Sequence, residues 1–352
     1  MKATDKVKIG VKILASRLTA RPRPFFVQYS LLNACNTSCV YCNCPSRKDP
    51  RISTADHLHV LGEFARLGAV RIKFLGGEPL LVREFDQLVE RVRELGMRSA
   101  MVTNGFLVPE KIDLVRKLDE LVISIDGDEI AHDRQRGKGS WHKVMRAIDI
   151  CAEKNLDFFL SAVVTRESAD QIDWLLHLAR QLGVMVNFQI TQVNEEMYGT
   201  AAREWMPEPR EIRAIIGRII AAKEAGAPVL FTTRSYRRTL EWPDFGIERT
   251  ERPGLRSPCV AGKYFLQFEP NGDIYPCVLH IGRFEPKNAL VDGVESAWRH
   301  AQEHSCFNCY NTWLNENRAI FDLDPTVLAN FWRNYLRRSG SRRRPRLIEP
   351  TT

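Results

Sequence analysis

Cys35, Cys39 and Cys42 stand in the run Cys35-Asn36-Thr37-Ser38-Cys39-Val40-Tyr41-Cys42, a C-x3-C-x2-C spacing that follows the apolar stretch Phe25 to Leu32. A loop this tight can offer three thiolates to the corners of a cubane iron-sulfur cluster, whose irons are usually held by cysteine. The fourth iron is then left without a protein ligand. Zinc is the alternative, but structural zinc sites build on two C-x2–4-C or Cys/His pairs and close at four ligands. A second set lies far downstream: Cys259, Cys277 and the pair Cys306-Phe307-Asn308-Cys309. Glu269 to Cys277 reads as a strand, an Asn271-Gly272 turn and a second strand, which brings two cysteines together. With the C-x2-C pair they supply four thiolates, enough for another cluster or for a zinc ion. The residues alone leave both open. Of the nine cysteines, two remain. Cys151 falls in a helical stretch and reads as a small buried apolar residue. Cys44, two residues beyond Cys42, is expected to line the first site without coordinating.

These loops need a scaffold. From residue 25 short apolar runs alternate with segments of helical period. The runs are Phe25–Leu32, Val70–Leu75, Ser99–Thr103, Leu121–Ile125, Phe158–Val164 and Val184–Ile190. The helical segments are Ala55–Leu67, Glu84–Leu95, Glu110–Leu118, Trp141–Lys154 and Ala169–Leu182. Strands alternating with helices predict an α/β fold with a parallel sheet, six units long against the eight of a closed barrel. In such sheets ligands gather at the carboxyl ends of the strands. There the sequence places Gly76-Gly77-Glu78-Pro79, Thr103-Asn104-Gly105 and Ser124-Ile125-Asp126-Gly127. Paired glycines permit close backbone approach, and polar strand ends either bind ligands or cap turns. Ser161, Thr165, Asn187 and Gln189 are further candidates, their orientation open. Beyond residue 195 the sequence predicts a helix over Pro209–Ala225 and a strand over Val229–Thr233.

The three-cysteine loop, one strand before Gly76-Gly77-Glu78-Pro79, resembles the signature of the radical S-adenosylmethionine (SAM) enzymes. The resemblance implies a partial (β/α)6 TIM-like barrel and a 4Fe-4S cluster on Cys35, Cys39 and Cys42. SAM would bind through its amine and carboxylate on the open iron and be cleaved to a 5′-deoxyadenosyl radical that abstracts a substrate hydrogen. It assigns SAM binding to Gly76, Gly77, Glu78, Asn104, Ser124 and Asp126. His132-Asp133-Arg134-Gln135-Arg136-Gly137 is similar to a stretch seen in peptide and cofactor maturases of that family. The downstream cysteines resemble the auxiliary-cluster modules called SPASM and twitch. With no cysteine after Cys309, the count suits the single-cluster twitch form. The expected domains are a basic amphipathic N-terminal helix (1–24), the radical SAM barrel (25–194), a bridging segment (195–258), the auxiliary module (259–320), and a C-terminal helix with a basic tail (321–352).

The cysteine patterns specify cofactors, not substrate. A sugar or aminocyclitol, a peptide, and a lipid-linked substrate all fit, with flavodoxin or ferredoxin as the expected electron donor. The reading from another class is a non-catalytic iron-sulfur or zinc-binding interaction protein. Composition, with 44% apolar and 27% charged residues, is that of a soluble globular protein. No run approaches the roughly 18 apolar residues needed to span a bilayer, so a cytoplasmic location is expected, where nine cysteines read as ligands or buried thiols. The net charge of +8 is concentrated at the ends. Residues 1–24 carry seven Lys/Arg against Asp5, and 333–346 carry seven Arg and no acid, leaving the middle at −5. No nucleic-acid groove is expected. The ends suit an anionic membrane surface: Val7, Val11, Leu14 and Leu18 form one apolar stripe, with Ile9 and Ile13 on the other side. At the C-terminal end, Val327, Leu328, Phe331, Trp332 and Tyr335 precede the basic run Ser341 to Arg346. Packing across the barrel end is the alternative for both helices.

Overall fold

The computed structural model describes residues 3–250 and 259–336. All six expected strands form: β1 (Phe26–Ser30), β2 (Arg71–Leu75), β3 (Arg98–Thr103), β4 (Glu120–Ser124), β5 (Phe158–Val164) and β6 (Met185–Ile190). They pair in sequence order and all in parallel. The period of two along each strand divides the faces. In β2, Ile72 and Phe74 are fully buried on the helix side, Phe74 meeting Phe85 of the helix Phe85–Glu94 edge-on at 5.0 Å. Each such burial contributes about 1.5–3 kcal/mol. Arg71 and Lys73 turn the other way, into the barrel, beside Phe26, Val122, Phe159 and Asn187 of neighbouring strands. The barrel interior is therefore partly polar, while the main core lies between sheet and helices.

The sheet does not stop at six strands. After β7 (Arg249–Thr250), β8 (Phe265–Phe268) pairs in parallel with the free side of β1, Phe265 opposite Phe26. β9 (Asp273–Tyr275) turns back antiparallel on β8, β10 (Lys287–Asn288) follows at the edge, and β11 (Asn308–Cys309) pairs with β7. The result is a nine-stranded sheet in the order β10-β9-β8-β1-β2-β3-β4-β5-β6. Every residue of β8 is buried, which an edge hairpin would not tolerate, and Tyr29 of β1 stacks on Phe268 at 4.3 Å. The auxiliary hairpin thus continues the barrel sheet.

Two expected elements differ. Over Val229–Thr233 only Val229 bridges to β6, and Thr232 instead caps the helix Thr233–Leu240, its side chain accepting from Ser235 N. The helix expected over Glu110–Leu118 contracts to the turn Ile112–Val115, flanked by three-residue turn bonds from Val108 N to Gly105 O and from Lys117 N to Leu114 O.

The N-terminal helix (Ala3–Leu18) packs across the barrel end with the face opposite to the predicted stripe. Ile13 is buried and Ile9 lies against it, in a cluster with Phe26, Val70 and Phe321. Val11, Leu14 and Leu18 are 60%, 43% and 77% exposed. The side chain of Val7 falls outside the described residues, as do those of Phe331, Trp332 and Tyr335 and the whole run Ser341 to Arg346. Val327 is fully buried, and Asp324 caps the C-terminal helix (Pro325–Leu336) by accepting from Thr326 N at 3.0 Å and Val327 N at 3.3 Å. Among the described residues no helix is long and apolar enough to cross a membrane.

Candidate active site and auxiliary cysteine site

The first cysteine loop leaves β1 at its carboxyl end and is clamped from both sides. Leu31 N reaches Leu75 O at 3.0 Å, Gly77 N reaches Leu32 O at 2.8 Å and Glu78 N reaches Ala34 O at 3.0 Å, so pairing with β2 runs on almost to Cys35. The glycines are there for this approach. A Cβ on Gly76 would sit 2.3 Å from Leu32 O, and one on Gly77 would sit 2.0 Å from Ala34 O. On the other side, Val40 N bonds Gln135 O at 2.9 Å and Thr37 Oγ1 bonds Arg136 O at 2.5 Å, both on the helix Glu129–Arg136.

Tyr41 anchors the loop from within. Its hydroxyl donates to Asp126 Oδ2 at 2.7 Å, and the same carboxylate takes Arg136 Nε at 2.6 Å, Arg136 Nη2 at 3.1 Å and Val163 N at 2.9 Å. Burial pushes the Asp126 carboxyl up, but the Arg136 guanidinium and these bonds hold it below the usual carboxylate range. Asp126 therefore joins the cysteine loop, the motif helix and β5. Glu78 does the same between β2 and β3: its carboxylate accepts from Thr103 Oγ1 at 2.9 Å, Asn104 N at 2.9 Å and Leu80 N at 3.1 Å. It is wholly buried, and burial raises its pKa to about 7. All these bonds of the two carboxylates go to the chain itself.

Asn104 stands over the loop, its Nδ2 2.7 Å from Asn36 Oδ1 and 3.7 Å from Cys35 Sγ. Ser124, half-buried at the end of β4, is the register partner of Ser161. Ser161 Oγ lies 3.1 Å from Asn187 Oδ1, and Gln189 Nε2 3.5 Å from the same atom, so these three candidates meet on the inner wall. Thr165 does not join them: it caps the turn Arg166–Ser168 and donates to Gln135 Oε1 at 2.9 Å. Cys44 is buried with its Sγ 3.6 Å from Asn33 Oδ1, and its hydrogen bond lowers the Cys42 thiol to about 7. Burial holds Cys39 up at about 11.

The second cysteine set forms one pocket wall at the opposite end of the barrel. Cys259, Cys277, Cys306 and Cys309 line it together with His280 and Arg318. Cys259 N bonds Cys306 O at 2.9 Å, and Cys277 Sγ lies 3.3 Å from His280 Nδ1. The bond from Cys306 lowers the Cys259 thiol to about 7, while burial raises Cys309 to about 12. Because Tyr275 is level with Gln267, Cys277 is level with Phe265 and with Phe26, the first residue of β1. Cys35 lies beyond the last. At about 3.3 Å per residue the two sets are at least roughly 13 Å apart.

A cubane spreads its thiolates over separate irons, whereas zinc gathers them on one ion. Among the described residues no three His, Cys, Asp or Glu side chains lie close enough to share a single ion. Three half-buried thiols on one loop, and four buried or half-buried thiols in one pocket, fit two clusters.

Sequence reasoning gave the arginine of the His132–Gly137 stretch, Arg136, a structural role but missed the part that Tyr41 plays in holding the loop. The Tyr sits inside the C-x2-C, but nothing local says that its partner is 85 residues away.

Residues 29–179 match the model of the Radical SAM superfamily. The chain is 28% identical over 294 residues to the mycofactocin maturase MftC of Mycolicibacterium smegmatis, covering 79% of this chain and 71% of that protein. It is 28% identical over 272 residues to the PqqA peptide cyclase of Gluconobacter oxydans, covering 74% and 72%. In structure it resembles Streptococcus suis SuiB bound to the precursor peptide SuiA, with a TM-score of 0.64 at 18% identity over 85% of this chain and 70% of that one. It also resembles anSMEcpe with bound AdoMet, at TM-score 0.58 and 15% identity over 88% and 96%. The parallel barrel, the clamped three-cysteine loop at its carboxyl end and the four-cysteine pocket at its other end agree with these likenesses: residues 29–179 are a radical SAM domain, in an enzyme with a C-terminal auxiliary-cluster module.

Proposed function

We propose that this enzyme modifies a peptide, abstracting a hydrogen from one of its C–H bonds and leaving an oxidised or newly bonded residue. One observation carries the peptide reading. The likeness to a maturase and a peptide cyclase extends over 79% and 74% of this chain, well beyond the radical SAM domain at residues 29–179. When bound, the cluster and SAM supply the hydrogen-abstracting radical. The chain's own work is placement. Cys35, Cys39 and Cys42 hold the first cluster. The Gly76-Gly77 backbone, Asn104 and Ser124 border the SAM site, and Glu78 and Asp126 fix that border from behind by tying strand ends together. Cys259, Cys277, Cys306 and Cys309 would hold the auxiliary cluster, which would accept the electron left on the substrate radical, while a flavodoxin or ferredoxin would supply the electron that reduces the first cluster.

The test is anaerobic turnover of reconstituted protein with SAM and dithionite in the presence of a candidate precursor peptide, read as 5′-deoxyadenosine release and peptide mass. A mass change confined to the peptide supports the reading. Turnover of a free sugar or aminocyclitol with every peptide left unmodified overturns it.

A further inference from the structure

The amino end of the barrel holds a cavity of about 370 Å3, bordered by the N-terminal helix, the C-terminal helix and the residues before it. Its wall is mainly apolar: Phe26, Val122, Phe159, Phe231 and Trp313 line it. Into this wall β2 turns Lys73, whose Nζ lies over the Trp313 ring at 5.2 Å.

Among the described residues the wall has two carboxylates, and both make short bonds to other partners. Glu120 takes Arg71 Nη2 at 2.6 Å. Glu316 accepts from Thr232 Oγ1 at 2.7 Å and Ser235 Oγ at 2.6 Å. Among the described residues the carboxylate that bears on Lys73 is that of Glu120, and its short ion pair is with Arg71. Burial, with Arg71 next to it, lowers the Lys73 pKa to about 8 against the pull of Glu120, so it is mostly charged at neutral pH. An ammonium in an apolar cavity is costly unless an anion meets it, and the cation–π contact offsets only part of that cost.

We propose that this cavity binds a carboxylate-bearing end of the substrate, with Lys73 holding the carboxylate and the aromatic wall holding an apolar body. The assignment rests on the peptide reading above and sharpens it. The carboxylate is the C-terminal one or that of an Asp or Glu side chain. Lys73 lies three residues before Gly76, roughly 10 Å along the strand. The cavity therefore holds a part of the substrate remote from the reacting carbon and sets which residue reaches it. Lys73 is a specificity residue, not a proton carrier.

The experiment uses the full reconstituted chain and two probes of equal shape, 4-phenylbutyrate and its neutral amide, with binding measured by calorimetry. The carboxylate is expected to bind at least roughly tenfold more tightly, a preference that Lys73→Met abolishes and Lys73→Arg partly keeps. Equal binding of the two probes, no binding of either at millimolar concentration, or a preference that survives Lys73→Met overturns the proposal. The comparison within the wild-type protein does not depend on whether a variant folds. With a modified peptide in hand, C-terminal amidation and Glu→Gln or Asp→Asn exchange identify the carboxylate used. Turnover indifferent to all of these overturns the substrate assignment. If the carboxylate preference is present and no peptide is modified, the pocket stands and only the peptide reading falls.

Discussion

Replacing Arg136 by Met should loosen the cysteine loop through a residue that touches no cluster. Asp126 is fully buried, and among the described residues Arg136 is its ion-pair partner, through two bonds of 2.6 and 3.1 Å. Removing one partner of a buried pair typically costs about 3–5 kcal/mol. Asp126 keeps its bonds from Tyr41 and Val163 N, which places the loss at the low end, about 3 kcal/mol. With a urea dependence of about 3 kcal/mol per molar, the unfolding midpoint falls by about 1 M. Adding Asp126→Asn removes the stranded charge, so the double variant should be more stable than Arg136→Met alone. The pH dependence has a fixed sign. The folded pKa of Asp126 is depressed, so the stabilisation is fully present above the unfolded value of about 3.9 and is lost as pH falls through the lower folded one. The gap between wild type and variant therefore closes below about pH 4. A loss under about 1 kcal/mol, or a double variant no better than the single, refutes the cross-tie argument.

Gly77→Ala should lower iron retention in the first cluster, because its Cβ meets Ala34 O at 2.0 Å and must break the 2.8 and 3.0 Å bonds that clamp the loop; iron analysis equal to wild type would refute it. His57 is fully buried, and burial lowers its pKa from 6.5 to about 4. The native state then binds fewer protons than the unfolded state, so stability should fall as pH drops from 6.5 towards 4, by at most about 3 kcal/mol. His57→Phe should flatten that limb in urea titrations at stepped pH, at the cost of the 2.9 Å Tyr29 bond. Exchanging Cys259, Cys277, Cys306 and Cys309 for serine should halve the iron, from about eight to about four per chain. Zinc lost in place of iron would remove the auxiliary electron acceptor.

The six parallel strands were legible because their apolar runs alternate with segments of helical period, and the cysteine sets because so few chemistries use such spacings. Less legible was anything that depends on which face of an element meets a neighbour. The N-terminal helix shows the limit: its sequence offers two apolar faces, and only the strand ends at Phe26 and Val70 select Ile9 and Ile13 over Val11 and Leu18. β8 reads as a hairpin strand because its other partner, β1, is 239 residues earlier in the register Phe26 with Phe265. Thr232 and Thr233 look like strand residues by type, yet a hydroxyl that can cap the following helix decides the matter.

The buried acids explain how a partial barrel keeps its ends in order. Glu78 joins β2 to β3, and Asp126 joins the cysteine loop to β5. Glu269, after β8, meets Arg47 at 2.8 Å just past the cysteine loop, while Glu248 takes Val193 N and Asn194 N at 2.7 Å and Arg283 at 2.8 Å. Glu316 gathers Thr232 and Ser235. An open barrel has no closing strand pair to fix the spacing of its rim, and backbone pairing ends where the loops begin. A carboxylate with several acceptor sites can tie three segments at one point, and its burial makes each tie specific, since leaving any one unmade costs the full desolvation. Glu78 and Asp126, expected from sequence to bind SAM, make these bonds within the chain, and we propose that they act one step back. They hold the glycines, Asn104 and the cysteine loop at fixed separation, and their conservative amide variants should alter cluster retention before they alter SAM affinity.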